Sequence, residues 1–260
     1  MANTDKAWQR FGRSDPYYGV LTDGSFSRQN FDEEARATFF QSGEDYVDFI
    51  LSVIRGHLVP DYQPTRALDF GCGVGRLTLA LARRTSESIG VDVSRGMLDE
   101  AVANAAVAEL SNVRFLQSDD RLSQVSGTFD LINSSIVFQH IDTKRGLRIL
   151  HRLLDLLSDD GVGVIQMTYA NASSTPGTRR VLTAAYERVP LVFNVRNVLK
   201  GLPPSTPQMH MNRYDLSQVF MVLQEHGCHD VHVRFTEANH YNHPIHGAIL
   251  FFRNAGATRV

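Results

Sequence analysis

A chain of 260 residues with 43% hydrophobic content can bury the core of one large domain, or of a domain with a cap, and wholesale disorder is excluded. A formal net charge of -2 and a pI near 6.5 exclude the basic excess of a broad nucleic-acid footprint and favour a small-molecule partner. No apolar run approaches the ~20 residues of a membrane span, and the opening Met-Ala-Asn-Thr-Asp-Lys has no signal-peptide core, so a cytoplasmic protein without a membrane partner is expected.

Residues 1 to 29 carry Trp8, Phe11, Tyr17, Tyr18 and Phe26 without a sustained period, which reads as a loop-like arm packed by its aromatics. Asn30 before Phe31-Asp32-Glu33-Glu34 reads as an N-cap followed by acids in a first helical turn. A second helix is expected after Gly43, with Val47, Ile50, Ile54 and Leu58 at helical spacing, and residues 59 to 64 form a Pro-bounded linker. The chain thus divides into an N-terminal arm with cap helices over 1–60 and a larger domain over 61–260.

Beyond the linker, strands are predicted at 66–70, 88–93, 113–117, 129–134 and 162–169, with helices at 75–85, 95–110 and 143–157, the last closed by Gly161. This alternation implies a parallel sheet covered on both faces. Residues 170–212 interrupt the rhythm with small polar residues, helix-like runs at 177–188 and 191–200, and a Gly-Pro-rich stretch, and read as a lid-like insertion. A helix at 214–226, closed by Gly227, leads into strands 229–236 and 246–253, an antiparallel pair at the sheet edge.

The chemistry concentrates at Ala67-Leu-Asp-Phe-Gly-Cys-Gly-Val-Gly-Arg-Leu-Thr78. An apolar strand breaks into Gly71, Gly73 and Gly75 and resumes as a helix, a turn that lets a ligand approach backbone N–H groups. Arg76 stands where the dinucleotide fingerprint has its third glycine, and Asp69 precedes the turn, which suits a ligand with both an amine and a carboxylate better than a pyrophosphate. Cys72 fills the turn as a small residue; neither it nor Cys228 has a neighbouring base that marks a nucleophile.

The run Asp69-x-Gly71-x-Gly73-x-Gly75 resembles the first motif of class I S-adenosylmethionine-dependent methyltransferases. Three further stretches fall in the order of that family: Ile89-Gly-Val-Asp92-Val93, an acid ending the second strand where a carboxylate accepts ribose hydroxyls; Val113-Arg-Phe-Leu-Gln-Ser-Asp119-Asp120 after the third; and Phe129-Asp-Leu-Ile-Asn-Ser-Ser135, continuing to Phe138-Gln-His140, after the fourth. The resemblance implies a Rossmann-like, mostly parallel seven-stranded α/β sheet of order 3-2-1-4-5-7-6 with strand 7 antiparallel, helices on both faces and a helical cap. It further implies S-adenosyl-L-methionine as cofactor, held by Asp69, Gly71, Cys72, Gly73, Gly75, Arg76, Asp92, Val93, Asp119, Asp120 and Ser135, with Asp119 rather than Asp120 on the adenine amine.

The expected reaction is methyl transfer to a small molecule, a hydroxyl in the first instance. The acceptor would be bound by Tyr17, Tyr18, Phe138 and His240, and His140 and His243 compete as general base. No Asn-Pro-Pro-aromatic run follows strand four, which lowers DNA and protein-glutamine amines as acceptors. The triplets His226-x-x-His229-x-x-His232 and His240-x-x-His243-x-x-His246 invite a metal, but the first crosses from a helix into a strand, and no metal is assigned. Aminopropyl transfer from a decarboxylated cofactor, and a catalytically silent partner subunit, remain as alternatives; oligomeric state is left open.

Overall fold

The computed structural model describes residues 4–171, 211–236 and 245–255. Helices α1 (Thr4–Ser14), α2 (Pro16–Val20) and α3 (Glu33–His57) precede a sheet interleaved with helices. These are β1 (Arg66–Phe70), α4 (Arg76–Ala82), β2 (Glu87–Asp92), α5 (Arg95–Val107), β3 (Val113–Gln117), β4 (Phe129–Ser134), α6 (Thr143–Asp155) and β5 (Leu157–Asn171). Helix α7 (Leu216–Glu225) and strands β6 (Asp230–Phe235) and β7 (Ile245–Arg253) follow. The sheet order is β3-β2-β1-β4-β5-β7-β6, with β7 antiparallel to both its neighbours, as the motifs imply.

Period-two alternation decides which side of each strand meets which helices. Ala67, Leu131, Val162 and Val164 join Val47, Ile50 and Ile54 of α3 and Leu77 and Leu81 of α4 in one buried cluster. Leu68, Ile132, Ile165 and Met167 face the other way, against Ile149, Leu150 and Leu153 of α6 and Val219 and Leu223 of α7. The sheet is therefore sandwiched, and only the carboxyl ends of its strands are left to carry a site. Among the described residues no helix is long and apolar enough to cross a membrane.

Several sequence expectations need correction. The arm is not a loop: Trp8 and Phe11, three apart, share one face of α1, and α2 follows at once with Pro16 at its start. The helix cap is Asp32, whose side chain accepts from Ala35 N at 2.8 Å, and not Asn30. The two expected helices are one, because Gly43 is a contact point rather than a breaker: a Cβ there would lie 2.5 Å from the Arg76 carbonyl oxygen. Helix α6 ends at Asp155 with Leu156 as its cap, before Gly161, and β5 begins at Leu157 with a register shift against β4. The expected lid, with its helix-like runs at 177–188 and 191–200, lies outside the described residues except at its margins.

Candidate active site

The carboxyl ends of β1, β2 and β4 open into a cavity of about 560 Å³, roofed by α1 and by the segment from Gly19 to Phe26. Its size is that of a small-molecule pocket. The turn after β1 shapes one wall: Gly71, Gly73 and Gly75 have φ of 77°, 54° and 88°, the left-handed region where glycine carries no steric penalty. Gly71 N and Cys72 N both donate to Val91 O, at 2.8 and 3.0 Å, which fastens the turn to the end of β2.

Asp92 stands opposite. Its Oδ2 accepts from Gly73 N at 3.0 Å and its Oδ1 from Ser94 N at 2.7 Å, which fixes the carboxylate at the cavity wall. Burial pushes this carboxyl up to about 6, and the nearby Asp69 adds to the rise, against the pull of the backbone donors. Val93, Asp119, Asp120 and Ser135 also line the cavity, with Val91, Met97, Phe26 and Val137 supplying apolar surface. Apolar walls beside a fixed carboxylate suit a small ligand that combines a flat ring with hydroxyl donors.

Ile136, directly after β4, adopts φ of 63° and faces the cavity. For a β-branched residue that conformation costs about 1–3 kcal/mol, strain that clusters at functional sites.

Other predicted residues lie behind this surface. Asp69 is 2% exposed, its oxygens accepting from Thr78 Oγ1 at 2.7 Å and Asn133 Nδ2 at 2.9 Å. It braces β1 against α4 and β4, and its place in the motif is that of a strut under the turn. Arg76 is 7% exposed and turned toward α3, its Nη1 donating to Ser42 Oγ at 3.2 Å; burial draws its pKa down, opposed by Asp69 and Tyr46. Cys72 is buried beside Gly90, and burial holds its thiol well above the usual range. None of these three, nor Gly75, is on the cavity wall.

Asp119 lines the cavity, but its carboxylate caps its own turn, accepting from Arg121 N and Ser123 N at 3.0 Å each and from Ser123 Oγ, which lowers its pKa. Asp120 is joined to Arg145, whose Nε donates to its Oδ1 at 2.7 Å.

The acceptor residues need larger corrections. Tyr17 is buried beneath the cap, its hydroxyl donating to Asn104 Oδ1 at 3.0 Å and its ring stacked on Phe31 at 3.9 Å. Tyr18 packs at the edge of the same aromatic cluster. Phe138 is fully buried between Phe70 and Tyr214, so it is core and not pocket. An aromatic next to a motif reads the same whether it faces the ligand or the sheet, and none of these three lies on the cavity wall. His240 and His243 lie outside the described residues.

His140 does reach the cavity, 6% exposed, with the Trp8 ring edge-on at 5.0 Å. Thr168 Oγ1 donates to Gln139 Oε1 at 2.9 Å, which turns the Gln139 amide nitrogen toward His140 Nε2 at 3.2 Å. An amide nitrogen can only donate, so this contact is a hydrogen bond when Nε2 carries no proton. Trp8, Gln139 and Arg145 were missed in the sequence; only the helical spacing of Trp8 and Phe11 offered a signal. The first histidine triplet diverges, with His226 bonding Val222 O and His232 stacked on His57, and among the described residues no three potential ligands gather around a metal position.

Residues 67–161 match the family described as a methyltransferase domain. Over those residues the chain carries a methyltransferase domain. The strand order, with β7 antiparallel, is that of the Rossmann-like methyltransferase fold. Among curated proteins, the trans-aconitate 2-methyltransferases of Deinococcus radiodurans and Methylobacterium radiotolerans are 34% and 33% identical over 129 residues each, 49% of this chain. The matched stretches span 46% and 47% of those relatives, so the chain spans about half the length of the curated proteins it matches. Among solved structures, magnesium protoporphyrin IX methyltransferase from Synechocystis PCC 6803 with bound SAH superposes with a TM-score of 0.61 at 18% identity, over 96% of this chain and 99% of the other. The N-methyltransferase NodS of Bradyrhizobium japonicum WM9, in complex with SAH, gives 0.58 at 14% identity over 98% and 100%. At such identities the likeness concerns the fold of the methyltransferase domain.

Proposed function

We propose that this chain transfers a methyl group from S-adenosylmethionine to an oxygen of a small-molecule acceptor. The observation that carries the reading is Asp92, a carboxylate fixed by Gly73 N and Ser94 N at the wall of an otherwise largely apolar cavity. Charge-assisted hydrogen bonds from two vicinal hydroxyls are what that geometry accepts. Asp92 would hold the ribose, Val93, Met97 and Val137 the base, and the Gly71–Gly73 turn with Ser135 the amino-acid end.

When bound, S-adenosylmethionine supplies a methyl group already activated by a sulfonium. The protein's part is then alignment and exclusion of water, which the roof of α1 and the Gly19–Phe26 segment favour. The acidic net charge supports a small acceptor over RNA, although part of the chain also resembles 23S rRNA uracil methyltransferases, at 42% identity over 52 residues for that of Psychromonas ingrahamii. The trans-aconitate relatives favour an oxygen acceptor; the NodS likeness keeps nitrogen as the second reading.

The test is incubation with isotopically labelled methyl donor and a small-molecule extract, read by mass spectrometry. Label on a hydroxyl or carboxyl oxygen supports the proposal. Label on nitrogen moves it to the second reading, and cofactor binding without label in any product points to a silent partner subunit.

A further inference from the structure

Helix α1 is fastened across the cavity in two different ways. Near its carboxyl end the fastening is backbone on backbone: a Cβ on Gly12 would lie 2.3 Å from Ser94 Oγ and 2.9 Å from Met97 N, and one on Gly96 would lie 2.6 Å from the Gly12 carbonyl oxygen. Two glycines facing each other let α1 and the start of α5 touch without side chains between them. Gln9 Nε2 adds a bond to Val93 O at 2.7 Å. Near its amino end the fastening is ionic. Arg145, at the start of α6, donates from Nη1 and Nη2 to the two oxygens of Asp5 at 2.7 and 3.0 Å. The same guanidinium holds Asp120 through Nε at 2.7 Å and Nη2 at 2.6 Å. Asp5, Asp120 and Arg145 all line the cavity, with Trp8 between them and the glycine crossing.

We infer that Arg145 is a positioning residue that latches α1 over the cofactor cleft, and that α1 opens by release of Asp5 while pivoting on the Gly12–Gly96 crossing. The inference rests on the cofactor reading only for what the cleft contains; the latch itself belongs to the protein alone. Its two ends differ in the way a hinge and a catch must. The crossing has no slack, so separating it would expose backbone on both helices. The bridge is a bidentate fork whose members retain side-chain exposures of 41% for Asp5, 23% for Arg145 and 43% for Asp120, so water can replace each bond as it breaks. Asp120 keeps the guanidinium in place when Asp5 leaves, so the catch stays set for reclosure. The Asp5 contact therefore governs how often the roof lifts, and with it the rate at which a ligand enclosed beneath can leave.

The chain's single tryptophan, Trp8, sits under this latch and reports on it. In the ligand-free full-length protein, Asp5→Ala is expected to red-shift Trp8 emission and raise its quenching by acrylamide. Amide exchange across residues 5 to 11 should rise about tenfold or more, with β1 and β4 unchanged. Asp5→Glu should restore most of the protection, because the fork can still close on a carboxylate. Wild-type protein in 1 M salt should shift toward the Asp5→Ala behaviour, the Debye length there being about 3 Å. In stopped flow, Asp5→Ala should release S-adenosylhomocysteine about tenfold faster, with a smaller change in the association rate.

Unchanged emission and exchange in Asp5→Ala overturn the latch. So does an equal rise in Asp5→Glu, or a rise shared by β1 and β4, which would signify general loss of stability. If wild-type protein does not bind S-adenosylhomocysteine, the cofactor reading fails, and the ligand-free measurements still decide the latch.

Discussion

The sheet between β1 and β4 and the helical roof above it obey different rules. In the sheet, each functional position is fixed by the chain immediately around it: a strand ends, an acid or a glycine follows, and the pairing register places it. Asp92 pairs with Gln117 across β2 and β3, and Asp69 with Gly90 across β1 and β2, so the cleft is assembled by backbone hydrogen bonds. In the roof, positions are fixed by what lies opposite in space, a glycine against a glycine or a tryptophan against a histidine. Local patterns carry the first kind of information and hardly any of the second.

The largest expected effect lies on the sheet side of this contrast. Asp92→Ala should weaken binding of S-adenosylhomocysteine about 10²-fold or more, since two charge-assisted hydrogen bonds of roughly 1.5–3 kcal/mol each are removed. The circular dichroism of the variant should match wild type, and titration calorimetry reads the affinity. A folded variant with wild-type affinity would take Asp92 out of the site and, with it, the carboxylate on which the cofactor assignment stands.

A graded version of the same experiment uses pH. The Asp92 carboxyl is raised from its ordinary range to about 6, chiefly by burial. The folded protein thus holds this proton more tightly than the unfolded chain. Its contribution favours the fold below the ordinary carboxylate range and is lost as pH rises through 6. On the proposed reading ligand binding has the opposite sign, because ribose hydroxyls would donate to the ionised form. Affinity for S-adenosylhomocysteine should be level above pH 7 and fall below pH 6, approaching about tenfold per pH unit once the carboxyl is protonated. Asp92→Asn should bind weakly at every pH and lose the slope. A wild-type profile flat from pH 5 to 8 would mean that no ionised Asp92 is needed.

How much was legible follows from the contrast. Strands β3 and β4 begin and end where the alternation of residues 113–117 and 129–134 places them, and the order of all seven strands is the one the four motifs imply. Within the site, the positions of Asp92, Val93, Asp119, Asp120 and Ser135 on the cavity wall were readable because they end strands or follow within three residues of a strand end. Tyr17 and Phe138 were not readable. Their aromatic rings satisfy the same hydrophobic preference in the core as in a pocket, and only Asn104, Phe31, Phe70 and Tyr214, distant in sequence, decide between the two. Arg145 carries no local mark at all, since one partner, Asp5, is 140 residues away.

The smallest effect tests the roof's rule inside a single helix. Helix α3 contains Gly43 and Gly56, which look alike to a propensity scale: each costs about 1 kcal/mol relative to alanine in a helix interior. Their surroundings differ. A Cβ on Gly43 would meet the Arg76 carbonyl oxygen at 2.5 Å and Arg76 Cγ at 3.0 Å, whereas one on Gly56 would meet nothing within 4 Å. Gly56→Ala should therefore gain about 0.5–1 kcal/mol, a rise in Tm of about 1–4 °C for a chain of this size. Gly43→Ala gains the same propensity but must push α3 from α4, an overpacking cost of about 1–3 kcal/mol, so its net change should be zero to about 2 kcal/mol of loss. The separation between the two melting temperatures is the measurement, because it cancels the propensity they share and leaves the tertiary contact alone. Equal gains in both variants would show that α3 and α4 yield at Gly43, and the helix would then run through that position for local reasons that sequence reading should have caught.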